Sequence, residues 1–489
     1  MRALSLSLFC LALSVASRTL TAAEGDFGYV RPVSAFDEQG ADSIWNHQFL
    51  GATLDEGFAV QSSYQQPYPV AADGPALLDL PPTDEEDFSL VVDPQVGSVD
   101  TAKPGSEGAA KGEEKKEEKK DEKKDKKEEE KKWYDKMKIR GYVQFRYNQL
   151  LVDNNQYRTP WDRSVGENNG FFIRRARMVF SGDATDWLSF YIQPDFAANA
   201  DDQLHYLQLR DLYADIFLDP CKEHRLRVGQ SKVPYGWENL QSSQNRLPFD
   251  RDDALNSGVP NERDIGIMYY WAPDYIRERF KFLVDEGLKG SGDYGALGLG
   301  VYNGQTANRP ERNDDRHVVA RISWPFLLES GQIVEAGMSG YYGEYVMATD
   351  HGIIGNGQNF LDKRLAWHLI YYPQPFGFQA EYTIGRGPEL NGALTEDLDR
   401  SLHGGYAMLY YKLEKCIPYA RYQRYLGGNK LLINSPDQDV SETEIGVEWQ
   451  FAKALELTTS YMYGERATYI YPYEVEKGGL LRLQLQWNY

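Results

Sequence analysis

Leu481, Leu483, Leu485, Trp487 and Tyr489 occupy one parity of the chain, and Arg482, Gln484, Gln486 and Asn488 the other. A period of two is the mark of a strand with one apolar and one polar face. The pattern recurs upstream: Ile139, Val143, Phe145 and Tyr147 oppose Lys138, Arg140, Gln144, Arg146 and Asn148, and Leu188, Phe190, Ile192 and Phe196 oppose Ser189, Tyr191, Gln193 and Asp195. Segments of this texture, separated by Gly, Asn, Asp and Pro clusters, predict strands over 138–151, 170–182, 187–198, 205–217, 224–233, 263–272, 294–303, 315–327, 333–343, 361–372, 377–386, 402–413, 417–425, 441–452, 456–464 and 479–489. The number is even.

Connections after even-numbered strands are mostly tight, such as 183–186, 414–416 and 453–455, while those after odd-numbered strands are mostly long, such as 152–169, 234–262, 344–360 and 465–478. Short turns at one end and long loops at the other is the habit of outer-membrane barrels. Two connections break it. Residues 199–204 are few where a long loop is due, and 273–293 are many where a turn is due, with RFKFLV at 279–284 a candidate strand extension.

The N-terminal residues support export. Arg2 precedes an uncharged apolar stretch, Ala3 to Ala16, followed by small residues, which reads as a signal peptide over 1–23. That stretch is too short to span a bilayer as a helix, no later apolar run is long enough, and the mean hydropathy is −0.58. An exported chain without such a helix crosses a membrane only as a closed β-barrel, with polar side chains toward the lumen and apolar ones toward lipid. The expected fold is therefore all-β, a sixteen-stranded antiparallel transmembrane barrel over 134–489. The aromatic content fits: 34 Tyr against 21 Phe and 10 Trp is a bias toward the residue that suits a boundary between oil and water.

Residues 24–110 carry 16 acidic against 2 basic side chains and no sustained periodicity, the composition of a disordered acidic arm. Residues 111–133 mix Glu and Lys in a spacer that is either helical through i,i+4 pairs or simply flexible, and it lacks the apolar a and d positions of a coiled coil. Acidic residues cancel its basic field, so no nucleic-acid partner is expected. Beyond the signal only Cys221 and Cys416 remain, able to pair in an oxidising compartment but too few for a disulfide framework.

Several stretches resemble one family. FFIRRARMVFSG at 171–182, LRDLYADIFL at 209–218, LRVGQSKVPYGWENLQSS at 226–243, ERDIGIMYYW at 262–271, GLGVYNGQ at 298–305, QAEYTIGR at 379–386 and GGYAMLYYKL at 404–413 resemble the phosphate-selective porin O and P family of bacterial outer-membrane channels. The resemblance implies a sixteen-stranded barrel, usually a homotrimer in outer-membrane lipid, whose loop after the fifth strand, Pro234 to Glu262 here, folds into the lumen. It also implies passive passage of small hydrophilic solutes, phosphate among them, without cofactor or metal.

Anion selectivity needs cationic donors at a constriction. Alternation nominates Arg140 and Arg146 on the first strand, Arg175 and Arg177 on the second, and Arg225 and Arg227 on the fifth. Arg174 and Lys232 fall on the wrong parity, yet the resemblance carries the paired Arg174 and Arg175 over together, which requires a local twist or bulge. Set against this, arginines on a barrel wall also serve as structural partners of carboxylates, and Asp195, Asp211, Asp215 and Glu381 are on hand. From Trp133 onward the net charge is about −9, so any anion preference is local. A general, weakly selective pore stays open, as does a non-conducting barrel that acts in adhesion or envelope structure through its arm. The acidic cluster Asp250, Asp252, Asp253 and Asp264 matches no calcium-loop spacing. No catalytic motif is present, and an enzyme is not expected.

Overall fold

The computed structural model describes residues 133–151, 169–200, 203–348, 359–389, 400–468 and 474–489. The chain divides into two units, 66–131 and the remainder, and every described residue belongs to the second. The expected signal peptide, acidic arm and all of the spacer but Trp133 lie outside the described residues.

Sixteen strands follow one another. They are β1 (Lys138–Leu150), β2 (Gly170–Thr185), β3 (Leu188–Ala200), β4 (Gln203–Phe217), β5 (His224–Lys232), β6 (Arg263–Trp271), β7 (Leu297–Tyr302) and β8 (His317–Leu327). Then come β9 (Ile333–Val346), β10 (Asn359–Tyr371), β11 (Phe376–Gly387), β12 (Arg400–Tyr411), β13 (Cys416–Gly428), β14 (Asp437–Ala452), β15 (Leu455–Thr468) and β16 (Glu474–Asn488). Each pairs with its neighbours in sequence, and β1 pairs antiparallel with β16, so the sheet closes. The seam is completed by two hydrogen bonds, Gly141 N to Tyr489 O at 2.7 Å and Tyr489 N to Gly141 O at 3.0 Å. Position 141 tolerates only glycine there, because a Cβ would stand 2.4 Å from Arg177 O and 2.5 Å from the Tyr489 ring.

Burial is inverted relative to a water-soluble protein. Arg146 and Arg482 are 1% exposed, whereas Phe171 is 70% and Phe451 62% exposed. Polar residues of alternate parity therefore face inward and apolar ones outward, the arrangement that lipid imposes. Among the described residues no helix is long and apolar enough to span a membrane.

Two of the described connections carry helices into the barrel. The loop between β5 and β6 carries two short helices, α1 (Trp237–Leu240) and α2 (Asp253–Gly258), and a 3₁₀ turn at Pro260–Glu262. Its Val233, Tyr235, Leu255 and Val259 pack against wall residues Met268, Tyr270, Tyr302, Val319, Tyr341 and Ala366. Between β6 and β7 lies α3 (Asp274–Asp285), which corrects the strand extension expected at 279–284. Phe280, Phe282 and Val284 do alternate, but the buried set is Ile276, Phe280 and Leu283, a spacing of four and three that belongs to a helix. β3 runs on to Ala200 and β4 begins at Gln203, so both strands are longer there than expected. Cys221 and Cys416 are free thiols.

Two register shifts change which side chains face the lumen. Gln144 pairs with Arg175 but Phe145 with Ile173, leaving Arg174 as an extra residue in β2. Likewise Gln193 pairs with Asp211 but Pro194 with Leu209, leaving Arg210 as an extra residue in β4. A bulge places two consecutive side chains on nearly one face.

Candidate functional site

The inward loop begins at Gly236, whose φ of 74° and crowding against Leu255 demand glycine. It crosses the lumen and is held on the far wall: Gly236 N donates to Ser339 Oγ at 2.9 Å, and Trp237 N and Glu238 N donate to the two Glu381 carboxylate oxygens at 2.7 and 3.0 Å. Trp237 Nε1 donates to Glu335 Oε2 at 3.1 Å. Glu381, expected as an arginine partner, instead anchors this loop.

Within the loop the cations turn on their own segment. Lys232, Arg246 and Arg251 converge on Glu262 at 3.5, 3.2 and 3.4 Å, and Arg263 Nη1 meets the same carboxylate at 2.5 Å. Burial alone pushes the Glu262 carboxyl up, but this ring of four cations holds it well below the usual range. Lys232 Nζ also donates to the carbonyls of Asn239 at 2.9 Å and Gln241 at 2.8 Å. Its charge is committed to holding the loop. Asp252 caps α2 through Leu255 N, while Asp264, on β6, accepts from Gly304 N and Thr306 N of the connection after β7. Among the described residues no group of three or more His, Cys, Asp or Glu is placed to hold a metal ion.

The wall arginines nominated by alternation divide into two classes. Arg146 donates to Gln484 Oε1 at 2.6 Å and lies 3.4 Å from Asp250, which also meets Arg482 at 2.5 Å. Arg177 pairs with Asp195 at 2.8 Å, and Arg225 with Asp293 at 3.1 Å. Arg227 holds Asp215 through two bonds of 2.7 and 2.8 Å while its guanidinium lies 3.8 Å from the Tyr213 ring centroid. These wall arginines have carboxylate partners.

Arg174 and Arg175 have none among the described residues. Arg175 is 5% exposed, and its one hydrogen bond goes to Gln144 Oε1 at 2.7 Å. The charges beside it are those of Arg174, Arg146 and Arg177, all positive. The bulge in β2 brings Arg174 onto this face although its parity points outward. Arg140 faces the lumen by parity, close to the start of β1, and is exposed.

Alternation misses Arg210. It is 8% exposed, donates to Asn261 O at 3.0 Å, makes no ion pair with a carboxylate among the described residues, and stands near Arg263 and Arg177 and also near Glu262 and Asp195, which those arginines hold. Its position opposite in parity to Asp211 hides it in the sequence, and only the bulge reveals that both face inward. On the opposite side of the inward loop, a cavity of about 30 Å³, room for a single water, is lined by Asp250, Asp253, Glu442, Arg421, Arg466 and Arg482. Both signs are present there.

Comparison with known proteins gives one family. A model described as phosphate-selective porin O and P matches residues 143–489. No curated protein matches the sequence. Among solved structures the chain is similar to the outer membrane channel DcaP of Acinetobacter baumannii, at 15% identity over 72% of this chain and 97% of that one with a TM-score of 0.47. It is also similar to OmpF of Salmonella typhi in complex with daunomycin, at 12% identity over 72% and 97% with a TM-score of 0.48. A third is an anion-selective porin from Comamonas acidovorans, at 10% identity over 72% and 99% with a TM-score of 0.45. Likenesses this distant add nothing to the closed barrel read from strand register.

Proposed function

The chain belongs to the phosphate-selective porin O and P family of the bacterial outer membrane, and from that premise we propose that it is a passive channel for small hydrophilic solutes with a preference for anions such as phosphate. The observation that carries the preference is the group Arg174, Arg175 and Arg210 on the inner wall, none of them ion-paired with a carboxylate among the described residues. A buried guanidinium without a counter-charge is costly, and a transient anion supplies what the protein withholds. An anion there accepts charge-assisted hydrogen bonds, and the absence of a fixed carboxylate leaves the donors open to exchange.

A second reading, a general pore of weak selectivity, is favoured by the wall arginines that already hold carboxylates and by the mixed charges around the small cavity. Planar-bilayer recordings in a salt gradient separate the two. An anion-favouring reversal potential, with chloride current blocked by added phosphate, supports the first reading; equal passage of both ions without block supports the second. Within the same proposal the protein works as a homotrimer, residues 1–23 direct export, and the arm over 24–110 and spacer over 111–133 precede a barrel over 134–489.

A further inference from the structure

The connection from β6 to β7, residues 272–296, occupies the end of the barrel where tight turns otherwise join the strands. Close to its return into β7 it lies beside β5, where Asp293 meets Arg225 at 3.1 Å and Arg277 of α3 at 3.3 Å. Its helix α3 buries Ile276, Phe280 and Leu283 against Ile333, Ile370 and Tyr372 of the inner wall and against Trp237 of the inward loop. The helix thus sits inside the mouth. Past α3 the chain continues to β14, where Lys289 Nζ donates to both oxygens of the Glu448 carboxylate at 2.6 and 2.8 Å. Gln241 Nε2 donates to Lys289 O at 2.7 Å and Lys412 Nζ to Glu286 O at 2.5 Å. In the closed ring of sixteen strands, β5 and β14 stand seven positions apart, so the segment spans the opening almost from wall to opposite wall.

The helix and the tip of this segment are held differently. The helix is fixed by apolar packing that extends to Leu288; at the tip, Lys289 is tied to the far wall by an ion pair whose side chains are 6% and 2% exposed. Around the tip the backbone takes positive φ at Gly287, Lys289, Gly292 and Gly295, and at the three glycines other conformations cost little. We propose that residues 272–296 form a strap across the periplasmic mouth, latched to β14 by Lys289 and Glu448, and that release of this latch widens the exit of the channel. This rests on the channel reading above, and its test is chosen to fail separately.

The test uses full-length protein in a Cys221→Ser, Cys416→Ser background carrying Ser291→Cys, a strap position 6% exposed in the wild-type chain. The first readout is the rate of maleimide labelling of the folded, heat-modifiable barrel. Glu448→Gln and Lys289→Gln are expected to raise that rate on the order of tenfold, because either leaves a buried charge unpaired, and the exchange Lys289→Glu with Glu448→Lys is expected to restore it. Lys412→Met, at a contact on the surface, provides a second release should either latch variant fail to fold. The second readout is single-channel conductance, expected to rise in the released variants. Labelling within twofold of the parent in every folded variant overturns the strap, whatever the current. Faster labelling with no current from parent or variants leaves the strap standing and sinks the channel reading instead.

Discussion

Arg175→Gln isolates the claim that an unneutralised guanidinium serves an anion. Arg175 makes its hydrogen bond to Gln144 and is bordered by Arg174, Arg146 and Arg177, with no carboxylate partner among the described residues. Glutamine keeps an N–H donor, on a shorter side chain, and removes the charge. A hydrogen bond from a charged donor is worth roughly 1.5–3 kcal/mol, so the phosphate concentration that halves chloride current should rise about ten- to a hundredfold. Stability should move the other way: like-charge repulsion and burial of an unpaired cation are both relieved, so the temperature at which the folded band converts on a heat-modifiability gel should hold or rise. The assay pairs phosphate titration in planar bilayers with that gel. A half-blocking concentration within twofold of wild type, together with a lower conversion temperature, would falsify the reasoning and make Arg175 a wall brace.

Asp195→Asn leaves Arg177 buried without its partner at 2.8 Å; a loss of about 3–5 kcal/mol is expected, read as a lower conversion temperature, and because Arg177 then joins the cations without a carboxylate, phosphate should block at the same or a lower concentration. At Gly229 a Cβ would stand 2.2 Å from Leu212 O with φ at +126°, so Gly229→Ala should cut the yield of folded barrel, whereas Gly170→Ala, with nothing within 4 Å, should not. Glu389, just past β11, is pushed up to about 8 by burial and by Asp437 nearby. A carboxyl raised above its ordinary 4.5 contributes stability while protonated and loses it as pH rises from that value through about 8. Heat-modifiability measured between pH 5 and 9 should therefore decline toward the alkaline end, and Glu389→Gln should flatten that decline; an equal slope in both proteins would count against the assignment.

The barrel is legible in the sequence because lipid forces a sustained parity on each strand, as in Leu481 to Tyr489, and because turn and loop lengths alternate with it. What parity hides are the places where it slips. Arg174 reads as lipid-facing until the register jump between Gln144 and Phe145 turns it inward, and Arg210 escapes notice for the same reason. The helix at Asp274–Asp285 is obscured by Phe280, Phe282 and Val284, a chance alternation inside a helical repeat. Pairing is the other blind spot. Alternation shows that Arg227 lies near the lumen but not that Asp215 already holds it, and it cannot place Lys232 beside Glu262, since those partners depend on stagger between strands and on a loop folded back through the barrel.

A solute crossing this barrel meets the inward loop and then the segment between β6 and β7. Obstacles met in turn behave as resistors in series: their resistances add, and the larger sets the current. Widening either obstacle would then change conductance only by its share of the total, while ion preference, in the proposed channel, follows the place where Arg174, Arg175 and Arg210 hold the anion. Conductance and ion preference are then separable quantities, governed by different residues.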